Sequence, residues 1–366
     1  MRVLHVYAGN LYGGVESMLA TFARHGAEVP ELETRFALAY DGRLAGELRD
    51  AGARVAILGG ARLSRPWSVW AARRRFARLL AAERPEVAVF HSAWSHGIFA
   101  PAARRAGVRV AFWLHDAVTG DAAEARARRT APDVALCTSA WTCDTLPALF
   151  PGVRREVVHP AVAPPADLSA ERAAVRAELG TDEEAVVIVQ ASRMEPWKGH
   201  RPHLEALARL GDRPRWTCWM AGGAQRPHEL EHAREMRALA ERLGIGGRVR
   251  WLGERADVPR LLAAADLLCQ PNLGPEPFGI TYVEAMYAGL PVVAAATGGA
   301  LETVTDATGL LVPAGDAPSL AGALRTLAVD PALRRRLGEA GPARAAELCD
   351  PVRQLRRLHE VLGGAA

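Results

Sequence analysis

Two glutamates in the second half of the 366-residue chain flank a glycine turn in a way that could support chemistry. Glu276 and Glu284 are separated by seven residues, and Gly279 lies between them at the start of a predicted helix. The backbone N–H groups of residues 278–281 can therefore face the oxygens of a ligand at the helix N-terminus. The segment predicts a site for an anion or a sugar hydroxyl. Paired carboxylates also occur in glycoside hydrolases, which is an alternative interpretation.

Two cations favour the anion over the glycosidase interpretation. Arg193 and Lys198 follow the predicted strand "AVVIVQAS", so both lie at the carboxyl edge of a sheet. There they can neutralise a diphosphate whose charge grows as a glycosyl bond breaks. Lys198 is the only lysine among 45 basic residues, and a compact ammonium is not interchangeable with a guanidinium fork. Position 198 is therefore predicted to need the shape of lysine as well as its charge.

A glycine pair near the N-terminus predicts a second phosphate-facing element. Gly13 and Gly14 precede a helix directly after the first predicted strand, where the backbone can approach a phosphate. A dinucleotide-dependent oxidoreductase is the alternative. The segment lacks G-x-G-x-x-G spacing, and Asp41 lies 28 residues beyond Gly13, which disfavours that alternative.

Short apolar runs alternate with helical stretches along the whole chain, which predicts an α/β fold with two doubly wound, Rossmann-like domains facing across a cleft. Prolines in "HPAVAPPADLSAERAAV" mark the linker, and Ser169 is predicted to cap the helix that follows. The predicted domains are 1–162, which binds the acceptor, 163–348, which binds the donor, and 349–366, a C-terminal helix that packs back on the first domain. The predicted strands are 2–7, 35–40, 54–58, 87–91, 108–114, 134–139, 156–160, 185–192, 215–223, 248–253, 266–272, 291–296 and 309–312.

The amino-acid composition indicates where the protein is located and which kinds of partner it binds. No apolar stretch approaches the length of a membrane span and no cleavable leader is recognisable, so we expect a cytoplasmic protein. The five cysteines form no C-x-x-C pair and are expected to be reduced and buried. Residues 1–160 hold 21 arginines against 15 acidic residues, which favours an anionic partner. No nucleic-acid-binding module is visible, so a phosphorylated small molecule or a lipid headgroup is expected.

Several segments together resemble one enzyme family across nearly the whole chain. "GNLYGGVE", "WLHD", "SRMEPWKG", "RVRWLGE", "EPFGITYVEAMYAGLPVVAAATGG" and "TGLLVPAGD" occur in the order and spacing of the nucleotide-sugar-dependent retaining glycosyltransferases of family 4. The resemblance implies the GT-B fold. The E-x7-E block carries most of the specificity, because the glycine-rich loop alone would be a weak signal.

The resemblance also implies roles for individual residues. Glu284 would bind the nucleotide ribose, and Glu276 would bind hydroxyls of the donor sugar. Arg193 and Lys198 would bind the diphosphate. The remaining implied donor contacts are made by the backbone, at Phe278, Gly279, Ile280 and Thr281, at Leu252 and Gly253 near the base, and at Gly13 and Gly14. His115 would lie beside the sugar. The implied catalytic set is His115, Arg193, Lys198 and Glu276. Pro271 and Pro275 stiffen the loop before Glu276, which departs from the family pattern.

The implied reaction transfers a sugar from a nucleoside-diphosphate donor, expected to be UDP-linked, to an acceptor hydroxyl with retention. The implied base is an oxygen of the leaving diphosphate, and no cofactor or metal is required. No D-x-D motif occurs in the sequence, which agrees with fixed cations in place of an ion. A sugar-nucleotide epimerase of the same fold and a non-catalytic sugar-nucleotide binder remain as alternatives.

The acceptor is predicted only in outline, as a small molecule, glycan or lipid. Candidate contacts are Glu16, His91, Trp94 and Trp113, the last two as an aromatic wall, although core packing explains these two tryptophans equally well. The helix containing Trp67, Trp70, Phe76 and Leu80 beside several arginines could touch a membrane surface, although a solvated arginine face explains it as well. "HELEH" at residues 228–232 has the form of a zinc motif but is interpreted as a solvated surface helix.

Overall fold

The computed structural model describes residues 1–10, 12–168, 170–211 and 215–364. Its backbone divides into two compact units, Met1–Ala163 with Cys349–Ala366, and Pro164–Leu348. The division lies one residue from the boundary that the linker prolines predicted. Ser169, the predicted helix cap, lies outside the described residues.

The first unit contains one parallel sheet of seven strands in the order β3-β2-β1-β4-β5-β6-β7. Its strands lie within the predicted segments or overlap them, because buried parallel strands are continuous apolar runs. The strands are β1 Arg2–Tyr7, β2 Glu33–Leu38, β3 Val55–Ile57, β4 Val87–Phe90, β5 Arg109–Leu114, β6 Val134–Cys137 and β7 Arg155–Val157.

Helices cover both faces of this sheet, and two apolar clusters form the core. The order of the strands places β1 beside β4 although about 80 residues separate them. Side chains at the carboxyl ends of β1, β4 and β5 therefore become neighbours. The helices are α1 Gly14–His25, α2 Arg43–Asp50, α3 Pro66–Glu83, α4 Ala93–Arg105, α5 Ala122–Ala127 and α6 Ala140–Thr145.

The second unit repeats the arrangement with six parallel strands in the order β10-β9-β8-β11-β12-β13. The strands are β8 Val186–Ala191, β9 Trp216–Ala221, β10 Val249–Gly253, β11 Leu267–Gln270, β12 Val292–Ala295 and β13 Gly309–Val312. The helices are α7 Glu171–Glu178, α8 His200–Ala208, α9 Pro227–Arg242, α10 Val258–Ala264, α11 Ile280–Tyr287, α12 Ala300–Thr303, α13 Ala317–Val329 and α14 Pro331–Cys349.

The last helix, α15 Pro351–Gly363, returns to the first unit as predicted. Leu355, Leu358 and Leu362 are fully buried in the core beneath α1. The helix end is fixed as well, since Arg109 donates a 2.6 Å hydrogen bond to the carbonyl of Leu362. The chain thus closes its first unit with its final segment.

Two composition-based expectations can be compared with the structure. All five cysteines are free and buried, as expected. Among the described residues, no helix combines the length and apolar character needed to cross a bilayer.

Candidate functional site

The predicted donor-site residues of the second unit gather at the carboxyl edge of its sheet. Arg193 and Lys198 follow β8, Gly253 ends β10, and Glu276 follows β11. Ligands of parallel α/β sheets bind at this edge. Two glycines allow the loops to pack closely: a Cβ at Gly199 would overlap the carbonyl of Pro271, and one at Gly222 would overlap that of Ser192.

The loop that carries Glu276 is held by the loop after β12. The carbonyl of Glu276 accepts a 2.7 Å hydrogen bond from the Gly299 N–H, and the Thr303 hydroxyl donates to the carbonyl of Phe278 at 2.8 Å. Gly298, with φ of +62°, allows the two backbones to touch where a side chain would collide with Glu276. These bonds fix the glutamate before any ligand arrives.

The N-terminus of α11 is built as a cradle for oxygens. Gly279 is the N-cap with φ of +94°, and a Cβ there would collide with the ring of Tyr282. The N–H groups of Gly279, Ile280 and Thr281 donate to no described residue. The first N–H groups of a helix lack intrahelical partners, so these three donors are available to a ligand anion.

Lys198 and Glu276, predicted separately, form one ion pair. The Lys198 ammonium lies 2.7 Å from Oε2 of Glu276 and 3.8 Å from the centre of the Trp197 ring. The Asn272 amide donates to the same Oε2 at 2.5 Å. Both charged side chains are largely buried, so the ammonium is held between a carboxylate and an aromatic face. A bound diphosphate would have to share the ammonium with Glu276.

A buried polar network that the sequence analysis missed supports the Lys198 backbone. The carbonyl of Lys198 accepts hydrogen bonds from the side-chain amides of Gln190 at 2.9 Å and Gln270 at 3.3 Å. His203 Nδ1 lies 2.7 Å from Oε1 of Gln190, and Gln270 donates to Asn272 at 2.6 Å. The available signal was a glutamine near the end of each of two apolar strands, since buried amides need partners.

Arg193 is paired with two carboxylates, one of which comes from the "HELEH" segment. Its guanidinium lies 3.1 Å from Glu195 and 3.2 Å from Glu229. The prediction that this segment is solvated is wrong for Glu229 and for His232, which are both buried. Glu229 has no exposed surface and also accepts a hydrogen bond from the Gln225 N–H. A buried carboxylate requires such a partner.

The histidines of "HELEH" do not assemble as they do in a zinc protease. In the part of the chain that the structure describes, ligand atoms of Glu195, His228 and Glu229 lie within 4.8 Å of one another, and His232 is outside this group. Arg193 already contributes a positive charge to both carboxylates. The geometry therefore makes Glu195 and Glu229 partners of the arginine.

Glu284 is partly buried within α11, four residues after the first residue of that helix. Desolvation raises the pKa of its carboxyl to about 7, so its charge changes near neutral pH. Leu252 and Gly253 end β10 at the same sheet edge and are also partly buried. Gly253 has φ of +66°, and its carbonyl accepts a 2.7 Å hydrogen bond from Gly222.

In the first unit, α1 begins at Gly14 with Gly13 as its N-cap, as the sequence predicted. Glu16 on the first turn is buried, so it offers little surface to an acceptor. Desolvation, together with the charge and hydrogen bond of Glu16, raises the pKa of Tyr7 far above its usual range. Tyr7 therefore stays protonated and donates to this carboxylate.

The predicted aromatic wall for an acceptor is not present as such. Trp113 is fully buried and stacks on His91 and His115, with ring centres 5.3 and 5.5 Å apart. His91 is also buried, at 2% exposure, so neither residue presents a face to a ligand. Trp94 is half-buried against Phe99. His115 is partly exposed, directly after β5.

Helix α3 divides its apolar residues between the core and the surface. Phe76 and Leu80 are buried, so they cannot contact a membrane as the sequence suggested. Trp67 and Trp70 are 67% and 60% exposed. Trp70 borders a cavity of about 540 Å³ whose lining includes three arginines, Arg73, Arg126 and Arg129, and no acidic residue.

Two family models match the two halves of the chain. The model described as "Glycosyltransferase Family 4" matches residues 12–164, and the one described as "Glycosyl transferases group 1" matches residues 171–344. The fold is that of the GT-B glycosyltransferases. The chain belongs to glycosyltransferase family 4, as the sequence resemblance predicted.

Solved structures and curated relatives agree with this membership. HepE from Anabaena, in crystals with UDP and glucose, has a TM-score of 0.85 and 25% identity, with 100% of both chains covered. A D-inositol 3-phosphate glycosyltransferase of Kribbella flavida is 35% identical over 50% of this chain and 45% of its own length. A GDP-mannose-dependent mannosyltransferase of Corynebacterium glutamicum is 35% identical over 47% and 46%. The alignments thus span about half the length of these relatives.

Proposed function

We propose that this protein transfers a sugar from a UDP-linked donor to an acceptor hydroxyl, with retention of anomeric configuration and without a metal ion. The observation that carries the proposal is the Lys198–Glu276 pair beside the open N-terminus of α11. A lysine, three free N–H groups and a carboxylate match the needs of a sugar diphosphate. HepE is described in complex with UDP and with UDP-glucose, which supports the choice of nucleotide.

The proposed roles follow the chemistry of each group. Lys198, Arg193 and the α11 N–H groups stabilise the charge that develops on the leaving diphosphate. Glu276 orients the sugar through its hydroxyls, and Glu284 accepts hydrogen bonds from the ribose. Retention follows if the acceptor attacks the face from which the diphosphate leaves, with a diphosphate oxygen accepting its proton.

A metal ion is unnecessary in this proposal because fixed cations neutralise the diphosphate. Activity should therefore persist in EDTA. Loss of turnover on chelation, restored by Mg²⁺ or Mn²⁺, would show that an ion and not Lys198 neutralises the leaving group.

The acceptor is proposed to be anionic. Residues 1–160 carry the excess of arginines, and the relative from Kribbella flavida is named a D-inositol 3-phosphate glycosyltransferase. We propose that Trp67 and Trp70, next to the arginine-lined cavity, make a weak contact with anionic bilayers. Co-sedimentation with vesicles that contain phosphatidylglycerol, but not with pure phosphatidylcholine, tests this contact, and the double variant W67S/W70S should lose it.

One assay separates the proposed activity from its alternatives. The protein is incubated with UDP-glucose, with and without D-inositol 3-phosphate as a trial acceptor. Release of UDP only with acceptor indicates a transferase, a changed sugar without acceptor indicates an epimerase, and binding without turnover indicates a binder. GDP-mannose is the matched donor control, and thermal shifts with both donors rank their affinities. NMR of the product's anomeric proton then tests retention.

A further inference from the structure

Three histidines of the first unit form a continuous hydrogen-bonded chain. His5 Nδ1 lies 2.8 Å from His91 Nε2, and His91 Nδ1 lies 2.9 Å from His115 Nε2. The neighbouring rings lie 5.1 and 5.2 Å apart, centre to centre. The chain runs from the interior of β1, through the residue after β4, to the partly exposed residue after β5.

Aromatic neighbours hold the rings in this arrangement. Trp113 stacks on both His91 and His115 at interplanar angles of 29° and 18°. Phe36 stacks on His5 with ring centres 5.4 Å apart. Close packing of aromatic side chains around the imidazoles restricts their rotation toward other partners.

The three imidazole rings have six nitrogens between them. Four of these nitrogens take part in the two hydrogen bonds, and the other two are His5 Nε2 and His115 Nδ1. His5 Nε2 is buried and has no partner. His115 Nδ1 bonds to no described residue and belongs to the one ring of the three that is partly exposed. The hydrogen-bonded chain of histidines therefore has one end that is buried, at His5, and one end that is partly exposed, at His115.

The three rings are neutral near pH 7. Burial lowers the pKa of His5 and of His115 to about 3, and burial together with the neighbouring histidines lowers the pKa of His91 well below its usual value. Each neutral ring carries one N–H, and each hydrogen bond uses one proton. All three rings must therefore be the same tautomer, either Nδ1–H or Nε2–H.

The buried end distinguishes the two tautomers. The Nε2–H form would place an N–H on His5 where it has no acceptor, and orphaned buried N–H groups are rare. The Nδ1–H form places the third N–H on His115, where water or a ligand can accept it. We propose that His91 is a positioning residue and that the chain from His5 holds His115 as the Nδ1–H tautomer, so that His115 presents a hydrogen-bond donor and not a base.

The consequence for catalysis rests on the proposed function. His115 would donate its N–H to an oxygen of the substrate. It could accept a proton from an acceptor hydroxyl at Nδ1 only after all three rings had changed to the Nε2–H form, which would place an N–H on the buried Nε2 of His5, where it has no acceptor. This agrees with a diphosphate oxygen as the base of a retaining transfer.

Long-range ¹⁵N–¹H NMR of the full chain labelled at its 11 histidines reads the tautomers directly. We expect Nδ1 to carry the proton in His5, His91 and His115, with no titration between pH 5.5 and 8. His115→Phe and His91→Phe assign the signals. An Nε2–H form of His115 in the wild type overturns the proposal even if no variant folds and no activity is found.

The His91→Phe variant tests the positioning role. It keeps an aromatic ring but removes both nitrogens, so His115 should become a mixture of tautomers and kcat with UDP-glucose should fall about tenfold. His96→Phe is the matched control: His96 is a buried histidine of the same unit whose Nε2 bonds to the Thr130 carbonyl at 2.7 Å. It should leave the His115 signals unchanged. An unchanged His115 tautomer in His91→Phe would refute the positioning role.

Discussion

At the residue scale, the pKa of Glu284 is determined by its surroundings and differs from that of an ordinary glutamate side chain. Desolvation raises its pKa to about 7, because burial disfavours the charged form of the carboxyl. Glu276 differs in its partners, since it contacts Lys198 and Asn272 directly. The two glutamates of one motif therefore have different environments, one suited to titration near neutral pH and one to a fixed ion pair.

Donor affinity should depend on pH through Glu284. Only the carboxylate can accept two ribose hydroxyls, so the Kd for UDP-glucose should be constant above pH 7 and rise about tenfold for each unit below it. Calorimetric titration between pH 5.5 and 8.5 measures this. Glu284→Gln should bind more weakly at pH 8 and show no such dependence; an unchanged pH profile in this variant would assign the titration to another group.

Folding stability should depend on the same group with the opposite trend. The pKa of the folded state lies above the ordinary value near 4.5, so the folded protein holds a proton between about pH 4.5 and 7 that the unfolded chain has lost. The free energy of unfolding therefore falls as pH rises through this window. After allowance for solvent screening, Glu284→Gln should be more stable than wild type at pH 8 by on the order of 1 kcal/mol, and equal to it at pH 4. Urea denaturation at both pH values checks the sign.

Lys198 should not tolerate arginine although the chain uses arginine everywhere else. Its ammonium fits between the Trp197 ring and Glu276, and a planar fork would have to displace one of them. We expect Lys198→Arg to lose at least about tenfold in kcat/KM, near 1.4 kcal/mol, with little change in Tm. Full activity in this variant would mean that charge alone matters. Arg215→Lys, at an exposed ion pair, is the control and should be silent.

At the element scale, helix termini and loop contacts create the donor site. The N-terminus of α11 depends on one backbone conformation, that of Gly279, and the loop before it depends on hydrogen bonds to residues 299 and 303. Helix α9 contributes by placing Glu229 against Arg193. Each element thus positions a donor or a charge rather than contributing apolar area alone.

Gly279→Ala should damage both folding and donor binding. The substitution would strain a φ of +94° and push against Tyr282, so we expect a loss of about 1–3 kcal/mol in unfolding free energy and weaker UDP binding. Gly322→Ala is the matched control, because Gly322 lies inside α13 with nothing within 4 Å of an added Cβ. It should stabilise by up to about 1 kcal/mol. Equal effects of the two variants would contradict the strained turn.

Glu229→Gln should weaken the interaction that positions the Arg193 guanidinium without opening a cavity. Glutamine preserves the volume and an oxygen for the Gln225 N–H, but it removes the charge opposite the guanidinium. We expect the KM for UDP-glucose to rise severalfold to about tenfold while metal content stays at zero by elemental analysis. Stoichiometric zinc in the wild type, lost in Glu229→Gln, would instead show a metal centre at Glu195, His228 and Glu229.

At the scale of the whole molecule, the final helix joins the beginning of the chain. Helix α15 places four apolar residues in the core that β1 and α1 share, more than 300 positions away in sequence. The first unit is therefore complete only when the last segment is present. Burial of this size contributes several kcal/mol, since each large side chain adds about 1.5–3 kcal/mol.

Leu358→Ala should destabilise the first unit selectively. Leu358 is fully buried, so its truncation should cost about 2–5 kcal/mol. Hydrogen exchange should accelerate in β1 and α1 and remain unchanged in β8 and β9. Leu230→Ala is the control, because Leu230 is 52% exposed on α9. Faster exchange in both units would show that the two units unfold together.

The sequence by itself determined the thirteen strands, the linker, the family and the residues at the carboxyl edge of the second sheet. These follow from local signals: apolar runs, turn glycines and a motif whose glutamates lie eight positions apart. The strands β1 and β13 have the predicted ends, and the other strand ends shift by at most three residues, because hydrogen-bond pairing and not apolar character ends a strand.

Only the tertiary structure decided which polar groups meet. Arg193 contacts Glu229 across 36 positions and His5 contacts His91 across 86, because the strand order places β8 beside β9 and β1 beside β4. The tertiary structure also placed Trp113 in the core. Side chains alternate between the two faces of a strand, and both faces of this sheet are covered, so neither face of β5 is exposed. Apolar pattern predicts that a side chain is buried, but its partner depends on neighbouring strands that are distant in sequence.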